Sequence, residues 1–176
     1  MVEAINDKIK RSLETSDSLY HRLVLLTGET GSGKTGVLRQ VARDFGTSVI
    51  NVNLAISSDL LELTAKQRSL RLPEILDRIA NNAPVPIVLD NLEILFDKDL
   101  KQDPLRLLQG ISRNRSVVAS WNGTFKDGRL SYARIDHPEY RSYDSVGALA
   151  VRMDGFASID WASHDSSRNN TETGQA

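Results

Sequence analysis

The sequence contains no cysteine among its 176 residues. A disulfide framework and a zinc site built on thiolates are therefore both excluded. No apolar run approaches the length of a membrane span, and the N-terminus lacks the apolar segment of a secretory signal. We therefore expect a cytoplasmic protein with no membrane partner.

Net charge is also nearly absent, because 22 Lys and Arg residues are balanced by 23 Asp and Glu residues. The protein therefore has no overall electrostatic field that would favour binding to nucleic acid or to a membrane surface. Residues 101–141 are an exception, with a local excess of basic over acidic residues. The basic ones are Lys101, Arg106, Arg113, Arg115, Lys126, Arg129, Arg134 and Arg141, against Asp103, Asp127, Asp136 and Glu139. This excess leaves three alternatives, which are contact with phosphate, contact with a neighbouring subunit, or exposure to water.

One stretch of the chain carries a recognisable chemical motif. The apolar run Leu23–Leu26 leads into Gly28, and four residues later come Gly33, Lys34 and Thr35. This is the G-x-x-x-x-G-K-[ST] phosphate-binding pattern. Its glycines let the backbone curl so that amide N–H groups converge, and the helix that follows adds its positive dipole end. The pattern predicts a nucleoside triphosphate site; the alternative is a glycine-rich turn between a strand and a helix.

The motif assigns a role to each of its side chains. Lys34 would reach the β- and γ-phosphates, and the Thr35 hydroxyl would bind Mg²⁺. A second magnesium residue is expected in Asp90, which ends the apolar run Val85–Leu89; the alternative is an acid that caps the following turn. We expect ATP rather than GTP, because no N-K-x-D signature is present. The predicted nucleotide-binding residues are Gly28, Glu29, Thr30, Gly31, Ser32, Gly33, Lys34, Thr35 and Gly36.

The catalytic base is less obvious. ATPases of the additional-strand type commonly place Glu directly after the magnesium-binding Asp, but this chain has Asn91, whose amide cannot accept a proton. Glu93 and Glu29 are the alternatives for polarising the attacking water. A third possibility is slow hydrolysis that a partner stimulates.

Further candidates lie within the basic stretch 101–141. Asn122 lies just after a predicted strand at Ser116–Ser120 and resembles a γ-phosphate sensor, although Asn122-Gly123 is equally typical of a turn. Arginines complete many phosphoryl-transfer sites, either in cis or from a neighbour. The candidates are Arg113 and Arg115 before the strand and Arg129, Arg134 and Arg141 after it; the alternative for each is an ordinary surface residue. The candidate catalytic residues are thus Lys34, Asp90, Glu93, Asn122, Arg113 and Arg115.

Alternating strands and helices predict an α/β, three-layer P-loop NTPase fold. We expect a mostly parallel five-stranded sheet of the additional-strand type. The expected regions are an N-terminal helix over 1–20, the NTPase core over 21–145, an element of uncertain structure over 146–162, and a disordered tail over 163–176. Among the expected elements are a strand over 48–53, a helix over 59–65 capped by Ser57 or Ser58, and a helix that starts at Pro73. The turn at Asp127-Gly128 and the alternation after it predict either a hairpin or an edge strand.

The segments DNLE, KQDPLRLLQG, SRNR and SWNG, together with GETGSGKT, resemble the BrxF family of small P-loop proteins from type 3 BREX bacteriophage-exclusion systems. The similarity spans about residues 20–143. It implies an AAA+/STAND-like ATPase domain in which Lys34, Thr35 and Asp90 bind phosphate and magnesium. It also implies a role in antiviral defence beside a large ATPase and a DNA methyltransferase. Too few residues remain for the helical lid of a full AAA+ protein, so we expect an AAA+-like domain without that lid and not a self-sufficient motor.

Three functions therefore compete. The first is a regulatory or assembly subunit whose nucleotide controls homo-oligomer formation or contact with other BREX proteins. The second is a small-molecule kinase of the nucleoside type, which would need an acid for the acceptor hydroxyl and an arginine-rich lid. The third is a nucleotide-switched module that contacts DNA non-specifically through residues 101–141.

Overall fold

The computed structural model describes residues 3–155 and 160–161. The helices are α1 (Ile5–Ser16), α2 (Lys34–Phe45), α3 (Val52–Leu60), α4 (Ala65–Asn81) and α5 (Pro104–Ile111). The strands are β1 (Leu23–Gly28), β2 (Val49–Asn51), β3 (Ile87–Asp90), β4 (Val117–Lys126), β5 (Arg129–Tyr132), β6 (Arg141–Tyr143), β7 (Leu149–Arg152) and β8 (Asp160–Trp161). Two short 3-10 helices, Glu93–Phe96 and Lys98–Leu100, lie between β3 and α5.

The strands form one sheet whose parallel part has the order β2-β3-β4-β1-β7. Strand β8 pairs antiparallel with β7, while β5 and β6 continue antiparallel from the long end of β4. Because β4 separates β1 from β3, the predicted additional-strand arrangement is confirmed. The carboxyl ends of all five parallel strands consequently lie along one edge, and we call this the upper edge.

Strand β1 shows why the sheet is covered on both faces. Leu23 and Leu25 pack with the helices α3, α4 and α5, whereas Val24 and Leu26 pack with α1 and α2. All four side chains are fully buried. A strand buried on both faces must be apolar at every position, which explains its continuous apolar run.

Helix α4 differs from the prediction, because Pro73 lies inside it rather than at its start. The helix begins eight residues earlier, where Thr64 and Gln67 form a reciprocal capping box. Proline has no N–H to donate to the carbonyl four residues before it, so the Ser69 carbonyl loses its helical partner. The Gln102 side chain donates to that oxygen at 2.6 Å. A distant residue thus satisfies the group that Pro73 leaves unpaired.

The segment after β2 also differs from the prediction. The expected strand over 48–53 ends at Asn51, because the Asn51 side chain accepts the Leu54 N–H and caps α3. Ser57 and Ser58 lie within α3, so the predicted cap for a helix over 59–65 is wrong.

The predicted hairpin is confirmed, although its first strand is longer than expected. Strand β4 runs on to Lys126, and Asp127 and Gly128 both have positive φ in the turn that joins it to β5. The element of uncertain structure expected over 146–162 contains β7 and β8. Helix α1 packs against α2, β1 and β7. The predicted tail over 163–176 lies outside the described residues.

Within the part of the chain that the structure describes, no helix is both long enough and apolar enough to cross a membrane.

Candidate functional site

The phosphate-loop motif lies at the upper edge, between the end of β1 and the start of α2. Gly31 and Gly33 have φ of 80° and 98°, which only glycine adopts readily. A side chain at Gly28 would lie 2.6 Å from Ser32 Oγ and 3.0 Å from Met153, so this position has no room for one. Thr30, Thr35 and Gly36 are exposed around the same turn. The loop is therefore a tight cradle open to solvent, as a phosphate site requires.

Lys34 lies folded back across this cradle. Its Nζ donates to the carbonyl oxygens of Gly28 at 2.8 Å and Glu29 at 2.6 Å, and the residue as a whole is only 6% exposed. Burial lowers the pKa of the Lys34 ammonium, and the carboxylates of Asp90, Glu93 and Glu29 partly oppose that shift. Lys34 therefore lies within the electrostatic reach of all three acids.

Asp90 is joined to the loop by a short hydrogen bond. Thr35 Oγ1 donates to Asp90 Oδ2 at 2.6 Å, and Ser120 Oγ donates to Asp90 Oδ1 at 2.7 Å. Hydroxyl and carboxylate oxygens such as these are the ligands that Mg²⁺ prefers. Among the described residues no group of three His, Cys, Asp or Glu side chains is arranged for a metal. This set therefore fits a magnesium ion held by one or two protein oxygens together with phosphate oxygens, and not an all-protein metal cage.

Glu93 is held between two amide side chains. Asn53 Nδ2 donates to Glu93 Oε2 at 2.7 Å, and Asn122 Nδ2 donates to Glu93 Oε1 at 2.9 Å. Asn53 also accepts the Ile94 N–H at 2.8 Å and donates its own N–H to the Asn91 carbonyl at 3.0 Å. With Asn91 at φ 56°, the chain turns after Asp90 so that Glu93 returns to the upper edge. The carboxylate is thereby fixed with free lone pairs for a water.

Glu29, the other candidate base, has a different environment. Its side chain is mostly exposed, and Arg134 Nη2 lies 4.0 Å from its Oε1. No hydrogen bond to its carboxylate is found within the described residues. Of the two acids, Glu93 is the one that the protein positions.

A cavity of about 710 Å³ adjoins Glu93 and Asn122. Its other wall is the segment 132–139 after β5, together with Thr30 of the loop. Tyr132 anchors this wall, because its ring stacks on Phe96 with centroids 3.4 Å apart. Burial, with the Glu93 and Glu139 charges, raises the Tyr132 pKa, so its hydroxyl stays neutral. The cavity has the size of a small-molecule site.

Arg113 and Arg115 do not join this site. They precede β4, and so they lie at the opposite edge of the sheet, where the parallel strands begin. Arg113 lies over the Tyr20 ring at 4.6 Å. Because the sheet separates them from the phosphate loop of the same chain, a catalytic role for them requires a nucleotide bound by a neighbouring molecule.

The structure adds Asn53 and Ser120 to the predicted residues. Both are polar positions at the carboxyl end of a parallel strand, or just beyond it, which is the sequence signal that would have indicated them. Lys34, Thr35, Asp90, Glu93 and Asn122 are brought together, linked by the hydrogen bonds or charge interactions described above.

Comparison with known proteins gives two matches. The profile of the family described as "ATPase family associated with various cellular activities (AAA)" matches residues 24–118, from β1 into β4. A cytidylate kinase from Methanocella arvoryzae is similar as well, with 28% identity over 136 residues, which is 73% of this chain and 72% of that protein. The family match includes the phosphate loop, Asp90 and Glu93.

Proposed function

The chain belongs to the AAA family of ATPases, and we propose that it hydrolyses ATP with Glu93 as the base that activates water. One observation carries this proposal. The Glu93 carboxylate is held by Asn53 and Asn122 within electrostatic reach of the phosphate-loop Lys34. A carboxylate oriented in this way is suited to accept a proton from a water beside the γ-phosphate.

Each side chain then has a defined task. Lys34, now bonded to two loop carbonyl oxygens, would bind phosphate oxygens, and the Thr35 hydroxyl together with Asp90 would hold the metal. Mg²⁺, when bound there, neutralises phosphate charge. Ser120 holds Asp90 in place, while Asn53 and Asn122 keep Glu93 from rotating. The role of the protein is thus mainly positioning and electrostatics.

We further propose that this ATPase is a regulatory or assembly subunit of a BREX phage-defence complex. The support is the resemblance of DNLE, KQDPLRLLQG, SRNR and SWNG to the BrxF family. In this proposal nucleotide controls a homo-oligomer or contact with other BREX proteins. Arg113 and Arg115 lie remote from their own loop, so in this proposal they would act only on a nucleotide bound by a neighbour. Contact with DNA stays a prediction.

Two experiments test these proposals separately. Phosphate release from ATP by the wild type, Glu93→Gln and Lys34→Ala tests the enzyme. We expect Glu93→Gln to bind ATP but to lose about 100-fold or more in rate, and Lys34→Ala to lose binding. Full hydrolysis by Glu93→Gln would contradict the assignment of the base.

The BREX role is tested with the same variants in cells. Phage plating on hosts that carry the complete operon should show lost defence for Lys34→Ala. Solution mass with and without ATP and Mg²⁺ tests nucleotide-dependent assembly. Full defence by Lys34→Ala would contradict the proposed role.

A kinase is the second candidate, favoured by the cavity of about 710 Å³ beside Glu93 and by the similarity to a cytidylate kinase. In that case a phosphate oxygen of a nucleoside monophosphate, instead of water, would form the bond to the γ-phosphorus, and ADP would leave. Incubation of γ-labelled ATP with nucleoside monophosphates, CMP included, distinguishes a kinase from an ATPase. Label that appears only as free phosphate excludes the kinase; label in a nucleoside diphosphate supports it.

A further inference from the structure

Arg134 lies on the wall that faces Glu93, at a position fixed by the backbone. Strand β5 pairs with β4 so that Tyr132 is opposite Gly123. The Ala133 N–H then donates to the Asn122 carbonyl at 2.9 Å. Ala133 has φ of 60°, which turns the chain at this point. Position 134 is therefore tied to Asn122, whose amide holds Glu93.

The Arg134 side chain reaches the phosphate loop from that anchor. Its Nη2 lies 4.0 Å from Glu29 Oε1, and the two side chains are 84% and 76% exposed. An ion pair so exposed and so long is weak, and its guanidinium is free to exchange Glu29 for a stronger anion. The same residue lines the cavity that contains Thr30, Glu93 and Asn122.

Other arginines near this edge have partners that hold them away from Glu93. Arg129 Nε donates to Asp144 Oδ1 at 2.9 Å, and Arg141 Nη2 donates to the Gln102 carbonyl at 3.0 Å. Arg152 is paired with Asp154. Arg134 thus differs from them in bordering both the phosphate loop and the base.

We propose that Arg134 is a catalytic residue that acts in cis, leaving Glu29 to bind the γ-phosphate as it is transferred. The inference rests on the proposed hydrolysis. In that step the water oxygen forms a bond to the γ-phosphorus, and Glu93 takes the water proton. The bond to the bridging oxygen breaks, and ADP leaves with its electron pair. The Arg134 guanidinium neutralises negative charge on the γ-phosphate oxygens during this exchange.

The test compares Arg134→Ala and Arg134→Lys with Arg129→Ala, a matched arginine of the same hairpin that lies outside the cavity lining. ATP hydrolysis is measured together with the affinity for ADP alone and for ADP with aluminium fluoride, which mimics the phosphate in transfer. For Arg134→Ala we expect kcat to fall by about 100-fold or more. Affinity for ADP with aluminium fluoride should fall at least about tenfold while that for ADP alone is kept, because the contact belongs to the transition state. Arg134→Lys should keep only part of the wild-type kcat and of the affinity for ADP with aluminium fluoride. Arg129→Ala should match the wild type in both quantities.

The outcomes separate this inference from the proposed function. Wild-type kcat and unchanged capture of ADP with aluminium fluoride by Arg134→Ala would overturn the role of Arg134 alone. Equal losses of affinity for both ligands would also overturn it, because Arg134 would then bind the ground state. A folded wild type that binds no ATP would overturn both proposals. Near-ultraviolet circular dichroism confirms that each variant is folded.

Discussion

Asn122 and Glu93, 29 residues apart in the chain, are joined by a hydrogen bond of 2.9 Å between an amide and a carboxylate. Asn53 completes the arrangement from the opposite side of the same carboxylate. Asn91 occupies the position after Asp90 where a glutamate is usual. The chain turns at Asn91 and brings Glu93, two residues further on, to the upper edge. The site is thus assembled from three separate strand ends.

Removing these amides should reduce turnover more than binding. For Asn53→Ala and for Asn122→Ala we expect kcat to fall by about tenfold or more, because an unheld Glu93 samples unproductive orientations. ATP affinity should change little. In a Glu93→Gln background either substitution should have almost no further effect, since both act through Glu93. Losses that add fully in that background would contradict this linkage.

The Thr35 hydroxyl should matter only when magnesium is present. Thr35→Ala removes the hydroxyl that bonds Asp90, whereas Thr35→Ser keeps it. We expect Mg²⁺ to strengthen ATP binding by the wild type and by Thr35→Ser, and to have little effect on Thr35→Ala. Calorimetric titration with Mg²⁺ and with EDTA measures this difference. Equal magnesium dependence in all three proteins would exclude Thr35 as a ligand.

ATP affinity should fall at alkaline pH because burial lowers the Lys34 pKa below its usual 10.5. Only the protonated ammonium binds phosphate strongly, so raising the pH towards that lowered pKa weakens binding. Lys34→Arg keeps its charge throughout this range and should show no alkaline loss from this residue, even if it binds more weakly. Affinities measured from pH 7.5 to 10 test the contrast.

The same shift affects stability in the opposite sense. Without nucleotide, the unfolded chain holds the Lys34 proton to higher pH than the folded protein does. The Lys34 contribution to the free energy of unfolding therefore rises with pH between the lowered pKa and 10.5, and is smallest below both. Lys34→Met should lack this rise in alkaline denaturant titrations.

Gly123 should be intolerant of even one methyl group. A Cβ at this position would lie 1.7 Å from the Ser131 carbonyl oxygen of the paired strand. We expect Gly123→Ala to lower the free energy of unfolding by about 2–3 kcal/mol. Gly110→Ala is the control, because no atom lies within 4 Å of its Cβ and it sits in helix α5. That control should be neutral or stabilising by up to about 1 kcal/mol.

The parts of the fold and of the site that depend on neighbouring residues in the chain could be predicted from the sequence. The strand β1, the loop and Asp90 follow from a contiguous motif and from the apolar runs of a doubly covered sheet. The course of α4 did not follow, because the carbonyl that Pro73 leaves unpaired, that of Ser69, is satisfied by Gln102, 33 residues after Ser69. The clamp on Glu93 depends likewise on Asn53, 40 residues distant. Such pairings arise only once the strands have been aligned.

Strand β4 is a single ten-residue element that contributes to two regions. In its middle, Ser120 donates a hydrogen bond to Asp90 and Asn122 donates one to Glu93. Its far end forms the hairpin with β5. Thermodynamic linkage makes any coupling along this strand reciprocal. A ligand of the hairpin that alters nucleotide affinity must have its own affinity altered by nucleotide, and by the same factor. Nucleotide-dependent binding at the hairpin is therefore as direct a measure of coupling as ligand-dependent ATP binding.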